Sequence, residues 1–156
     1  GITGRNMLLW DGVCPVHNNF STDRLEDLVK KHPEAKVLAH PECNKGILLK
    51  ADVIGSTSKL LKYTKEGSEN EFIIATEPGI IHQMKKFNPN KKYYPLPPEN
   101  IKHEESICVN MKKHTLEKLY LGLKNENPEV NLNQDIIDKA RKPIVRMLDI
   151  SKKLGL

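Results

Sequence analysis

The chain has 156 residues, 38% of them apolar and 29% charged, which suits one domain with a real core and hardly two. No 18-residue apolar run is long enough to span a membrane, and the residues read as carrying neither a secretory nor a transit signal. The net charge of +5 is carried largely by scattered pairs such as Lys30-Lys31, Lys85-Lys86, Lys112-Lys113 and Lys152-Lys153, with few aromatics among them. That pattern argues against nucleic acid and fits solvated helix faces and small anionic ligands.

In chain order, Met7-Leu8-Leu9-Trp10 reads as a short strand that ends at Asp11-Gly12. A loop follows over Val13 to His17. A helix is expected to start between Ser21 and Asp23, since Asp23 and Glu26 have capping-box spacing, and Pro33 stops it. Lys36 to Ala39 is a buried strand, Asn44 to Ala51 a short helix, and Asp52 to Ile54 a brief strand. The helix after Ser56-Thr57 ends near Gly67, a natural C-cap.

Phe72 to Ala75 is the clearest strand of the chain. Beyond Thr76-Glu77-Pro78-Gly79 a helix places Ile80, Ile81, Met84 and Phe87 on its buried side, and Asn88-Pro89 closes it. Lys92 to Leu96 is an edge-like strand, because proline is tolerated there.

Strand and helix alternate about every twenty residues, with connections too long for hairpins. The pattern implies right-handed crossovers and a parallel sheet. The expectation is an α/β fold, a three-layer α/β/α sandwich over residues 1–96. Residues 97–156 would then hold a linker, a cysteine segment and C-terminal helices. Those helices fall near Thr115 to Lys124 and from Asn133 onward, with Pro143 expected to kink or restart the second.

Candidate chemistry gathers where strands end. His40-Pro41-Glu42-Cys43 leaves the Lys36 to Ala39 strand, and ligands bind at the carboxyl ends of parallel strands. His40 and Glu42 together are acid/base candidates. Gly55-Ser56-Thr57 opens a helix, where backbone N–H groups and a hydroxyl make an anion seat, although such residues more often simply cap. Thr76-Glu77 reads rather as a capping arrangement, and the remaining histidines (His17, His32, His82, His103, His114) carry no function from spacing alone.

Cys14, Cys43 and Cys108 form no CxxC pair, and a reducing compartment suits them better than a disulfide framework. Three such thiolates can converge on an iron–sulfur cluster, or each can be an inert buried residue; spacing leaves both open. Lysines near Cys108 favour its thiolate.

Five motifs then occur in order: Trp10-Asp11-Gly12-Val13-Cys14-Pro15-Val16-His17, His40-Pro41-Glu42-Cys43, Gly55-Ser56-Thr57, Thr76-Glu77 through His82, and Cys108-Val109-Asn110-Met111-Lys112-Lys113. The series resembles the quinolinate synthase family of NAD biosynthesis over essentially the whole chain. It departs from the family at Asn44, where proline is frequent, and at Gln83, where a basic residue is usual.

The resemblance implies a cytoplasmic enzyme of three similar α/β/α domains that condenses iminoaspartate with dihydroxyacetone phosphate. A central 4Fe-4S cluster held by one cysteine per domain would act as Lewis acid. The same resemblance assigns Cys108 as a cluster ligand, His40 and Glu42 as catalytic, and Pro41, Ser56 and Thr57 with them as substrate-binding. It leaves Cys14 and Cys43 outside the ligand positions. Only the family's carboxyl-terminal half has a counterpart here, so the chain alone is expected to be inactive. A different reading, a stand-alone small-anion or metal-binding module in which all three cysteines hold one metal, remains beside it.

Overall fold

The computed structural model describes residues 6, 8, 11–99 and 106–155. The expected strand at Met7 to Trp10 lies outside them except for Leu8, which is exposed and unpaired. Two compact units are present, one up to Lys113 and the other from His114 on.

The first unit is built on four parallel strands in the order β2-β1-β3-β4: β1 (Lys36–Ala39), β2 (Val53–Ile54), β3 (Glu71–Ala75) and β4 (Lys92–Pro95). Val37 pairs with Ile73 and Ala39 with Ala75, so the two central strands run in step. β2 pairs over only two residues, and Asp52 completes its start by accepting the Val37 N–H (2.8 Å) and donating its own N–H to Val37 O (2.9 Å). β4, which ends at Pro95, lies at the sheet edge as expected.

Alternation along the central strands creates two cores. Val37, Ala39, Ile73 and Ala75 face one side, where they meet Leu25 of α2 (Thr22–Lys31) and Ile47 of α3 (Lys45–Leu48). Leu38, Phe72, Ile74 and Tyr93 face the other, where they meet Leu60 of α4 (Thr57–Glu66) and Met84 of α5 (Ile80–Phe87). Leu25, Ile47, Leu60, Phe72 and Met84 are fully buried. Each such side chain contributes roughly 1.5–3 kcal/mol by leaving water. This is the expected α/β/α sandwich.

Three local readings change. The segment taken as a loop holds a single helical turn, α1 (Pro15–Asn18), because Pro15 at its start has a preset φ and no N–H to satisfy. The following helix starts at Ser21, whose hydroxyl accepts the Arg24 N–H, rather than through an Asp23 capping box. Phe87 is exposed rather than buried; Lys65 Nζ lies 4.6 Å from its ring centroid, a cation–π contact open to solvent. Gly67 does cap α4, with φ −71° rather than a left-handed turn.

The second unit contains α6 (Leu116–Asn125) and α7 (Gln134–Leu154). Thr115 and Asn133 cap them by accepting the Lys118 and Asp135 N–H groups. α7 runs through Pro143 without a restart. The stripe residues Leu116, Leu119, Tyr120 and Leu123 are all exposed, as are Ile136, Ile144 and Leu148. No helix among the described residues is long and apolar enough to cross a membrane.

Candidate active site at the carboxyl edge of the sheet

β1, β2 and β3 are parallel, so the segments leaving them emerge at one edge of the sheet. His40 follows β1 directly and its N–H donates to Ala75 O (3.1 Å), while Gly55 after β2 donates to Ala39 O (3.1 Å). The Cys43 N–H returns to His40 O (3.0 Å), and this tight turn leaves Pro41 and Glu42 exposed at its tip.

His17 of α1 is the residue around which the site closes. It is buried, and its Nε2 lies 2.9 Å from the Oγ1 of Thr76, the first residue after β3. Its ring stacks on His40, with centroids 4.2 Å apart and planes 12° from parallel. Its Nδ1 lies 3.2 Å from Glu42 Oε2, close enough to attract but short of hydrogen-bond geometry, so this buried nitrogen has no hydrogen-bond partner. Burial, helped by the neighbouring His40, holds the His17 pKa below the ordinary 6.5 against the opposing pull of Glu42.

His40 Nδ1 accepts the Glu42 N–H (3.3 Å) and also lies 3.5 Å from Glu42 Oε2. With Nδ1 engaged as acceptor, the neutral ring carries its proton on Nε2 and offers a donor to a ligand. Glu42 itself has a 57% exposed side chain and can reach one.

The thiols differ in kind. Cys43 is buried, donates to Ala75 O (3.2 Å), and burial raises its pKa to about 11, so it is an inert core thiol. Cys14 and Cys108 are half-buried and pack against the same core beneath the site. Cys14 caps the start of α1, and a sulfur–nitrogen–oxygen trio of Cys14, His17 and Glu42 falls within 4.8 Å. Cys108 is tied to this region through Ser106. Ser106 Oγ, two residues before it, donates to Val16 O (3.3 Å), and the Lys112 N–H closes a turn onto Cys108 O (3.1 Å).

Glu77 completes the surroundings. Its Oε2 accepts the Gly79 N–H (2.7 Å), and a Cβ at Gly79 would come within 2.6 Å of that oxygen, so glycine makes the room. Oε1 is buried without a hydrogen bond, 3.4 Å from Lys112 Nζ. The capping role expected of Thr76-Glu77 thus holds for Glu77, whereas Thr76 turns to His17.

Ser56 caps α4 by accepting the Lys59 N–H (3.3 Å), and Thr57 is its first residue. Both are exposed at the same edge, but among the described residues no hydrogen bond or ion pair joins them to the His40 cluster. Sequence reasoning gave no role to His17, set Cys14 aside and misjudged Thr76. The available signal was the Cys14 to His17 spacing, which puts both residues on one helical turn once Pro15 is read as its start. Among the other histidines, His32 stacks on Tyr94 (3.7 Å), His82 and His114 are exposed, and His103 lies outside the described residues.

The fold and this edge define a parallel α/β domain with a thiol, histidine and carboxylate group gathered at the carboxyl ends of its strands. Comparison with known proteins is more specific. The family model "Quinolinate synthetase A protein" matches residues 2–149, and the chain belongs to that family. Relatives named quinolinate synthase include those of Trichodesmium erythraeum (48% identical) and Microcystis aeruginosa (49% identical), each over 149 residues and 96% of this chain. The chain spans 46% of the length of each of them.

Proposed function

We propose that this chain is the carboxyl-terminal part of a cytoplasmic quinolinate synthase, a transferase that condenses iminoaspartate with dihydroxyacetone phosphate in NAD biosynthesis. The observation that carries the reading is the convergence of His17, His40, Glu42 and Thr76 at one sheet edge, within a chain 48% identical to such enzymes. In this reading Glu42 moves protons at the substrate, being both exposed and paired with two histidines. His40 donates from Nε2 to a substrate oxygen, and stacking on buried His17 fixes its plane. Pro41 shapes the tip of the turn, and Ser56 with Thr57 receives an anionic group at the start of α4.

Cys108 serves as a ligand of the 4Fe-4S cluster, and Cys14 joins it. Support for counting both is their shared half-burial and packing, and the Ser106–Val16 bond that holds their two segments together. Cluster iron takes thiolate sulfur, and Cys43, protonated and committed to Ala75, does not fit. The same argument weighs against a module in which all three cysteines hold one metal. When bound, the cluster supplies a Lewis-acidic iron. Remaining ligation and substrate contacts come from the amino-terminal domains of the enzyme, so the chain alone is inactive.

The test uses the complete enzyme that carries this chain. Glu42→Gln should lower quinolinate formation about 10²–10⁴-fold with unchanged thermal stability. Cys14→Ser and Cys108→Ser should each lose the cluster's visible absorbance, and Cys43→Ser should keep it. Near-normal turnover in Glu42→Gln, or an intact cluster in Cys108→Ser, would overturn the assignment.

A further inference from the structure

Cys108 sits on a short turn whose two ends are held by different contacts. Before it, Ser106 Oγ donates to Val16 O (3.3 Å). After it, the Lys112 N–H closes onto Cys108 O (3.1 Å), and the Lys112 side chain crosses to the segment that leaves β3, where Nζ lies 3.4 Å from Glu77 Oε1. We propose that the Glu77–Lys112 ion pair is a strut that positions Cys108, so that Glu77 and Lys112 are positioning residues of the enzyme. This rests on the reading of Cys108 as a cluster ligand given above.

Glu77 is poorly explained by packing alone. It is buried, its Oε2 is committed to the Gly79 N–H (2.7 Å), and among the described residues its buried Oε1 has no hydrogen bond. A buried carboxylate oxygen in that state is unfavourable. Lys112, whose side chain is 52% exposed, offsets little of this, because a half-exposed ammonium is screened by water. The pair is therefore a weak stabiliser. What it does fix is the placement of the Cys108 turn against the end of β3.

Gly79 points the same way. Its φ of −57° and ψ of −24° are helical values open to any residue, so the backbone does not require glycine there. Room does: a Cβ would come within 2.6 Å of Glu77 Oε2 and 3.4 Å of Lys112 Nζ. Glu77 also directly follows Thr76, whose Oγ1 holds His17. One short stretch after β3 thus sets the imidazole pair through Thr76 and the thiol of Cys108 through Lys112. Contacts that orient a metal's ligands from outside are worth about 10–100-fold in metal retention.

The test uses the complete enzyme with its cluster. Glu77→Gln, Lys112→Met and Gly79→Ala should each raise the rate of iron release to a chelator about 10–100-fold. Hydrogen exchange should quicken at the amides of residues 108–113 while the thermal unfolding midpoint stays put. Lys112→Arg, which keeps charge and reach, should retain the cluster as the unaltered enzyme does. Charge alone would shift the cluster's potential in opposite senses in Glu77→Gln and Lys112→Met. Loss of a strut moves iron release the same way in both, and the double variant should be no worse than either single one. Should Glu77→Gln fail to fold, Lys112→Met, at an exposed position, carries the test.

Cys108→Ser run in parallel separates the two readings. An intact cluster there removes the ligand assignment and the strut with it. Cluster loss there, with unchanged iron release and exchange in Lys112→Met, overturns the strut alone. Additive effects in the double variant, or cluster loss in Lys112→Arg, would overturn it as well.

Discussion

The sandwich and the helical tail obey the same amphipathic pattern and reach opposite outcomes. In the sandwich nearly every patterned residue finds a partner: Leu25 and Ile47 against one sheet face, Leu60 and Met84 against the other, all fully buried. In the tail, Leu116, Leu119, Leu123, Ile144 and Leu148 carry equally regular stripes and are exposed. A stripe fixes which side of a helix is apolar; burial needs an opposing surface, which the sheet supplies to the helices that cross it. Stability in this chain should therefore be concentrated before His114.

The sharpest way to break the comparison is to cut equivalent apolar volume from each region. Phe72→Ala, which empties the centre of one core and removes the ring stacked on Tyr93, should cost about 3–5 kcal/mol in urea unfolding. Leu123→Ala in the tail, 73% exposed, should stay within about 0.5 kcal/mol. A large cost for Leu123 would show that this stripe is covered in solution.

Pro143→Ala examines the tail from within. A proline inside α7 removes one backbone hydrogen bond, so alanine should stabilise that helix by up to about 3 kcal/mol. Helicity by circular dichroism should rise while the unfolding midpoint of the sandwich stays put. Movement of both together would mean the two units unfold as one.

Thr76→Val measures how strongly the site edge is held. Loss of the Thr76 oxygen leaves buried His17 Nε2 without its partner, at an expected cost of about 1–3 kcal/mol. The pH dependence has a definite sign. The His17 pKa is lower in the folded chain than the ordinary 6.5, so the unfolded chain takes up the proton first. The His17 contribution is therefore fully present above about pH 6.5 and is lost as pH falls towards its folded value. His17→Gln should flatten that acid-side slope in thermal melts, and an unchanged slope would assign it to other groups.

The smallest effect concerns a backbone position. Glu126 ends α6 with φ 47°, a left-handed conformation that costs a side chain roughly 1–2 kcal/mol and a glycine little. Glu126→Gly should raise the stability of α6 by about 1 kcal/mol or less, after glycine's greater freedom in the unfolded chain is subtracted. No change in helicity would remove the strain argument.

Much of the fold was legible in the residues themselves. Lys36–Ala39 and Phe72–Ala75 read as strands because three or four consecutive apolar residues are bounded by Pro33, Pro41, Gly67 and Pro78. Parallel pairing followed from the length of the connections. His40, Glu42, Ser56 and Thr57 fell at the correct edge because each lies within three residues of a strand's end.

What the sequence could not specify was which distant residues meet there. His17 and Thr76 are 59 positions apart, and their contact exists only because α1 lies over the end of β3. Likewise Cys43 stands beside His40 and Glu42 in the chain, where spacing leaves ligand and inert core thiol both open, and the tight turn from His40 to Cys43 points it into the core. Local periodicity encodes which face a residue occupies. The partner across that face, and hence whether a thiol is ligand or filler and a histidine neutral or charged, depends on packing between segments remote in sequence.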